Sequence, residues 1–158
     1  MAGPLILCVG KLKEPFFHQA CNEYKKRLSA GWPVEIVEIA EQIPKGKSNI
    51  EVEKAMEKEA EDIMRHIPQG SFIVALCIEG TLLDSPELAD RLAMAEQGGG
   101  RLVFIIGGSN GVAPGIKRMA NLQLSMSKMT FPHHLARVML LEQLYRSFTI
   151  RTNRKYHK

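Results

Sequence analysis

Two continuous apolar runs, Phe72–Ile78 (FIVALCI) and Leu102–Ile106 (LVFII), stand between segments whose apolar residues recur at helical spacing. A strand that is apolar on both faces must be covered on both faces, which is the condition of a strand inside a parallel sheet flanked by helices. Pro4–Val9 is a third run of this buried type, Val34–Ile39 (VEIVEI) alternates as a more exposed strand would, and Leu122–Ser125 is a short one. Between them the spacing predicts helices over Glu14–Ser29, Ile50–Ile67, Ser85 to about Gln97, Pro114–Ala120 and His133–Phe148. Gly31-Trp32-Pro33, Glu79-Gly80 and Gly98–Gly100 punctuate the series, Ser85-Pro86 reads as N-cap and first-turn proline, and Pro132 suits a first turn. The order β-α five times over argues an α/β fold with a mainly parallel sheet and helices on both faces. The 158 residues show no repeat, no linker and no domain boundary, so one domain over 1–158 is expected.

In such a sheet, ligands bind beyond the carboxyl ends of the strands, here the loops after Ile78, Ile106 and Ser125. Gly107-Gly108-Ser109-Asn110-Gly111 follows one of these ends. It reads either as a turn requiring positive φ or as a backbone that can close on a ligand with no side chain in the way. The adjoining polar loop with Ser127, Lys128 and Thr130 shifts the balance towards a ligand pocket.

Other chemistries fail on spacing. Gly46-Lys47-Ser48 resembles the end of a phosphate-binding loop, but Glu41 stands where the first glycine belongs. Gly10 alone follows the first strand, so there is no dinucleotide fingerprint. The five histidines and three cysteines form no zinc spacing, and no G-x-S-x-G elbow is present, so no metal is expected. Cys8 and Cys77 lie in apolar runs and read as reduced core thiols, which with the short N-terminal apolar run favours a cytoplasmic protein with no membrane segment.

Charge is unevenly spread. Residues 1–96 hold 11 Lys/Arg against 16 Asp/Glu, a balance of −5, whereas 97–158 hold 10 against the single acid Glu142, a balance of +9. The second half suits a polyanion such as RNA, the alternative being a solvated basic face. The helix from His133 is apolar over most of its surface, which fits a central position or a self-association seam. Arg137 falls inside that apolar arc, either as an ion pair or as a contact to a phosphate or base. The tail with Arg151, Arg154, Lys155, Tyr156 and His157 is either a frayed end or a set of groups for phosphates and a splayed base.

VGKLKEPFFHQACNEYKKRL, FIIGGSNGV, LSMSKMTFPHHLARVMLLEQLYR and the terminal YHK together closely resemble the RlmH (YbeA-type) family of SPOUT methyltransferases, over essentially the whole chain. The resemblance implies a C-terminal trefoil knot, which ordinary chain rules would not suggest. It also implies a homodimer with active sites at the subunit interface. The implied reaction uses S-adenosylmethionine to methylate N3 of pseudouridine 1915 in helix 69 of 23S ribosomal RNA on the assembled 70S ribosome. By the same resemblance Leu76, Gly107, Gly108 and Ser127, Lys128, Met129, Thr130, Phe131 and Pro132 hold the cofactor. His157 as general base, Arg146 as orienting cation and Tyr156 are the catalytic candidates, with Arg137, Arg151, Arg154 and Lys155 towards the RNA. Two other functions compete: a SPOUT enzyme acting on a tRNA base, and a non-catalytic ribosome-binding protein using the basic tail alone.

Overall fold

The computed structural model describes residues 2–157. Ten elements alternate: β1 (Leu5–Val9), α1 (Pro15–Leu28), β2 (Glu35–Ile39), α2 (Asn49–His66), β3 (Phe72–Leu82), α3 (Ser85–Gln97), β4 (Leu102–Ile106), α4 (Pro114–Met119), β5 (Leu122–Ser125) and α5 (His133–Arg151). All five strands are parallel, in the order β2-β1-β4-β3-β5. Strand alternation splits the core in two. Ile6, Cys8, Phe104 and Ile106 face one side with Leu140, Leu141 and Leu144 of α5, while Leu7, Val9, Val103 and Ile105 face the other with Ile63 of α2 and Ile116 of α4. The continuous apolar runs therefore feed two layers, as a buried parallel sheet requires.

Several local expectations are corrected. The N-cap of α3 is Asp84, not Ser85: Asp84 accepts from Glu87 N at 2.8 Å and Glu87 returns a bond to Asp84 N at 2.7 Å, a reciprocal capping box. Pro132 is the N-cap of α5 rather than a first-turn residue, with extended backbone. That helix also continues past Phe148 to Arg151.

The main correction concerns β3, which does not end at Ile78. Its pairing with β5 breaks after Leu76↔Leu124 and resumes at Thr81↔Leu124 and Leu82↔Ser125, leaving Cys77–Gly80 as an inserted bulge. Gly80 ends no strand; it lets the chain return, since a Cβ there would stand 2.6 Å from the Gln123 carbonyl oxygen. Cys77 is accordingly only part-buried, whereas Cys8 and Cys21 are the buried free thiols, and burial pushes Cys8 up to about 12.

Candidate functional site

From Ser125, at the edge of the sheet beside β3, the chain reaches His133 against Gly10, at the exit of β1. The segment between must cross the carboxyl ends of β3 and β4, because those strands lie between β5 and β1. It meets there the glycine turn after β4, and the two enclose a cavity of about 710 Å³. Leu76 and Cys77–Glu79 of the bulge, Ile106–Val112, Lys117, Leu124, Met126, Ser127, Met129–His133 and Ala136 line it. All three loops chosen from the strand pattern contribute.

The glycines have definite work. A Cβ on Gly107 would lie 2.3 Å from the Gly111 carbonyl carbon, and one on Gly108 would lie 2.9 Å from Val9 Cγ1. Gly111 itself takes φ 81°, in the left-handed region. The opposite wall is stiffened locally: Ser125 Oγ donates to Ser127 O at 2.9 Å, and Met129 N donates to Ser127 Oγ at 3.0 Å. The result is a pocket of backbone and apolar side chains, suited to a nucleoside-like ligand.

Of the residues expected at a cofactor, Leu76, Gly107, Gly108, Ser127, Met129, Thr130, Phe131 and Pro132 line the cavity; Lys128 is exposed and does not. Glu41, which rules out a phosphate loop, meets the outside of the glycine turn from the β2–α2 connection. Ser109 Oγ donates to its Oε1 at 2.9 Å, and that bond holds its carboxyl below the usual range. His133 lines the cavity with its Nε2 buried and unpaired.

Arg137 is 3% exposed. Its Nη1 donates to Glu38 Oε2 at 2.9 Å and its Nη2 to Gly10 O at 3.2 Å, so its charge is used inside the protomer to tie α5 to the exits of β1 and β2. Leu12 N also donates to Glu38, at 3.0 Å. Burial works against the ionised Glu38, but Arg137 and the Leu12 N–H outweigh it and hold the carboxyl low. Of the two roles foreseen for Arg137, the ion pair is the one present here.

Arg146, Tyr156 and His157 come together at the other end of α5. Glu142 receives the Arg146 guanidinium at 2.7 and 3.2 Å and the Tyr156 hydroxyl at 3.2 Å, so the lone acid of the basic half is the hub of this cluster. Arg146 lies 4.9 Å from the Tyr156 ring centroid, and its Nη1 is 3.1 Å from His157 Nδ1. Arginine has no acceptor, so Nδ1 carries the lone pair in that contact. Arg151 pairs with Glu96 and lies over Trp32, Arg154 lies over Phe148, and Arg154 and Lys155 are exposed. Lys158, the end of the YHK motif, falls outside the described residues.

Thirteen residues separate His133 from Arg146, about 20 Å along the helix axis at 1.5 Å per residue. None of Arg146, Tyr156, Arg151, Arg154, Lys155 or His157 lines the cavity. Pocket and tail cluster are thus separate within the chain. Among the described residues no group of His, Cys, Asp or Glu could hold a metal ion, and no helix is long and apolar enough to cross a membrane.

The parallel α/β fold is shared with solved structures. TrmJ from Z. mobilis aligns over 94% of this chain and 71% of its own, with TM-score 0.52 and 11% identity. An AdoMet-bound rRNA methyltransferase from Sinorhizobium meliloti aligns over 92% and 57%, with TM-score 0.50 and 13% identity. These likenesses show the fold.

Sequence goes further. The model of the family described as "Predicted SPOUT methyltransferase" matches residues 4–157. A protein of Caldicellulosiruptor saccharolyticus named Ribosomal RNA large subunit methyltransferase H is 47% identical, over 97% of this chain and 98% of its own length. One of the same name from Bifidobacterium animalis subsp. lactis is 48% identical over the same shares. The chain belongs to the SPOUT methyltransferases and, within them, to the RlmH family.

Proposed function

We propose that this protein methylates N3 of pseudouridine 1915 in helix 69 of 23S ribosomal RNA on the assembled 70S ribosome, using S-adenosylmethionine and forming 3-methylpseudouridine. It acts in the cytoplasm as a homodimer of one SPOUT domain spanning 1–158, with the crossing segment 126–132 forming the family's trefoil knot. The names of the relatives, matched over 98% of their length, support the ribosomal RNA substrate, and the AdoMet-bound neighbour supports the cofactor. The single observation that carries the reading is the pocket formed where the glycine turn meets the 126–132 segment.

That pocket fits the cofactor. Gly107 and Gly108 leave space that a Cβ would fill, Leu76, Ile106 and Leu124 present an apolar wall for an adenine, and the loop at Ser127–Pro132 offers backbone polar groups to its edge. When bound, S-adenosylmethionine supplies an electrophilic methyl group on a sulfonium whose positive charge is lost in transfer. An apolar, backbone-built pocket favours that loss of charge more than a carboxylate beside the sulfur would.

N3 of pseudouridine carries a proton that must leave. His157 is the base and Arg146 the cation that steadies the developing anion, with Tyr156 stacking near the base. In the protomer, the Nδ1 lone pair of His157 faces Arg146, so the ring accepts the substrate's proton only after that contact opens. Glu142 keeps Arg146 in place during the change. Because Arg146 stands ten residues, about 15 Å along α5, from Ala136 at the edge of its own pocket, the tail of one subunit completes the pocket of the other. Phe16, 63% exposed, and the half-buried Leu135, Val138 and Met139 provide an apolar seam for that pairing.

The test is incubation with isotopically labelled S-adenosylmethionine and ribosomes lacking the modification, followed by mass spectrometry of the nucleosides. Label on pseudouridine 1915 is expected. No label there with cofactor still bound would overturn the substrate and direct the search to tRNA.

A further inference from the structure

The cavity carries one acidic and one basic side chain, Glu79 and Lys117; no other Asp, Glu, Lys or Arg lines it among the described residues. They come from different elements. Glu79 lies in the four-residue bulge of β3, and Lys117 lies on α4, yet the Lys117 ammonium donates to the Glu79 carboxylate across the rim. The contact holds the Glu79 carboxyl below its usual range.

Gln123 ties the two segments from below. Its Nε2 donates to Lys117 O at 3.1 Å, and Cys77 Sγ lies 3.7 Å from its Oε1. The Lys117 and Glu79 side chains remain 27% and 58% exposed, so as a structural link the pair contributes little. A weak ion pair on a rigid mounting, at the edge of an otherwise uncharged pocket, is better suited to binding than to stability.

We propose that Glu79 and Lys117 form the subsite for the α-amino-acid end of the cofactor, Glu79 taking its ammonium and Lys117 its carboxylate. This rests on the S-adenosylmethionine reading above. The bulge carries Glu79 to α4, and without it β3 would present no acid there. A zwitterion gives each member of the pair a partner and leaves no charge unmatched. A nucleotide phosphate would gain one lysine and meet the neighbouring carboxylate, so the rim also selects an amino-acid nucleoside over a phosphorylated one.

Calorimetric titration of the full-length protein tests this with S-adenosylhomocysteine and with methylthioadenosine, which lacks the amino-acid end. Glu79→Gln and Lys117→Met are each expected to weaken S-adenosylhomocysteine about tenfold. Methylthioadenosine should bind both variants as it binds the parent protein, and thermal melts should be unchanged. Unaltered S-adenosylhomocysteine affinity in both variants overturns the subsite. Equal losses for both ligands also overturn it, because the pair would then be only part of the wall. If the parent protein binds neither ligand, the cofactor reading itself fails.

Discussion

The two ends of α5 are built on opposite principles. At its start, the pocket is made of backbone and apolar surface, with glycines cleared of side chains and loops held by bonds such as Met129 N to Ser127 Oγ. At its end, Arg146 and Tyr156 meet on Glu142 and His157 meets Arg146 through side-chain contacts. A backbone site is specified by where chain can approach chain, and the walls of this cavity all come from one chain. A side-chain cluster on a helix end holds charge but has no cavity, so it needs a surface brought to it. On the proposed function, cofactor binding and proton handling are therefore separable by mutation.

The largest expected effect sharpens that division. Ending the chain after Asn153 should lower the methyl-transfer rate by about 10³-fold while S-adenosylhomocysteine affinity stays unchanged by calorimetry. His157→Ala with full turnover would remove the base assignment. Next comes the tie from α5 to β1 and β2: Arg137→Met leaves Glu38 and Gly10 O without their main donor and should cost about 3 kcal/mol of unfolding free energy in urea titration. Gly108→Val pushes a side chain into Val9 and into the pocket, and should weaken the cofactor by about 100-fold, or 2.7 kcal/mol.

The smallest effect is read in pH. The folded value of Glu38 lies below its unfolded one, so its stabilising contribution is complete above the unfolded carboxylate range and is lost as pH falls through the folded value. Glu59 is the reverse. It is buried, burial raises its carboxyl despite the bond from Gln42 N at 2.8 Å, and ionising it costs the fold as pH climbs past the unfolded value. Glu38→Gln should therefore lower stability at neutral pH and Glu59→Gln should raise it, the latter by less than about 1 kcal/mol, with both differences shrinking in acid.

The elements and the pocket's position were legible because they rest on local periodicity and on glycines at strand ends. Phe72–Ile78 and Leu102–Ile106 read as buried strands, and the turn at Gly107–Gly111 lies where the sheet rule puts a ligand. What was hidden depends on partners far along the chain. Glu79-Gly80 looks like a strand end, and only the backbone of Gln123 makes Gly80 a bulge residue. Glu41 gives no local sign that it will meet Ser109, 68 residues away. Arg137 could be read either way until Glu38, 99 residues earlier, was placed beside it. The distance between His133 and Arg146 is itself legible in the sequence, since thirteen residues of helix at 1.5 Å rise set them about 20 Å apart.

The proposed function requires two chains to pair, since the pocket and the tail cluster stand about 15 Å apart along α5 from Ala136 to Arg146. Gly108→Val, which spoils the pocket, and the chain ended after Asn153, which lacks the tail, should each be inactive alone. Mixed and allowed to exchange subunits, they should recover methyl transfer to ribosomes, because some mixed dimers contain one intact pocket facing one intact tail. A mixture that exchanges subunits and stays as inactive as its parents would contradict the account.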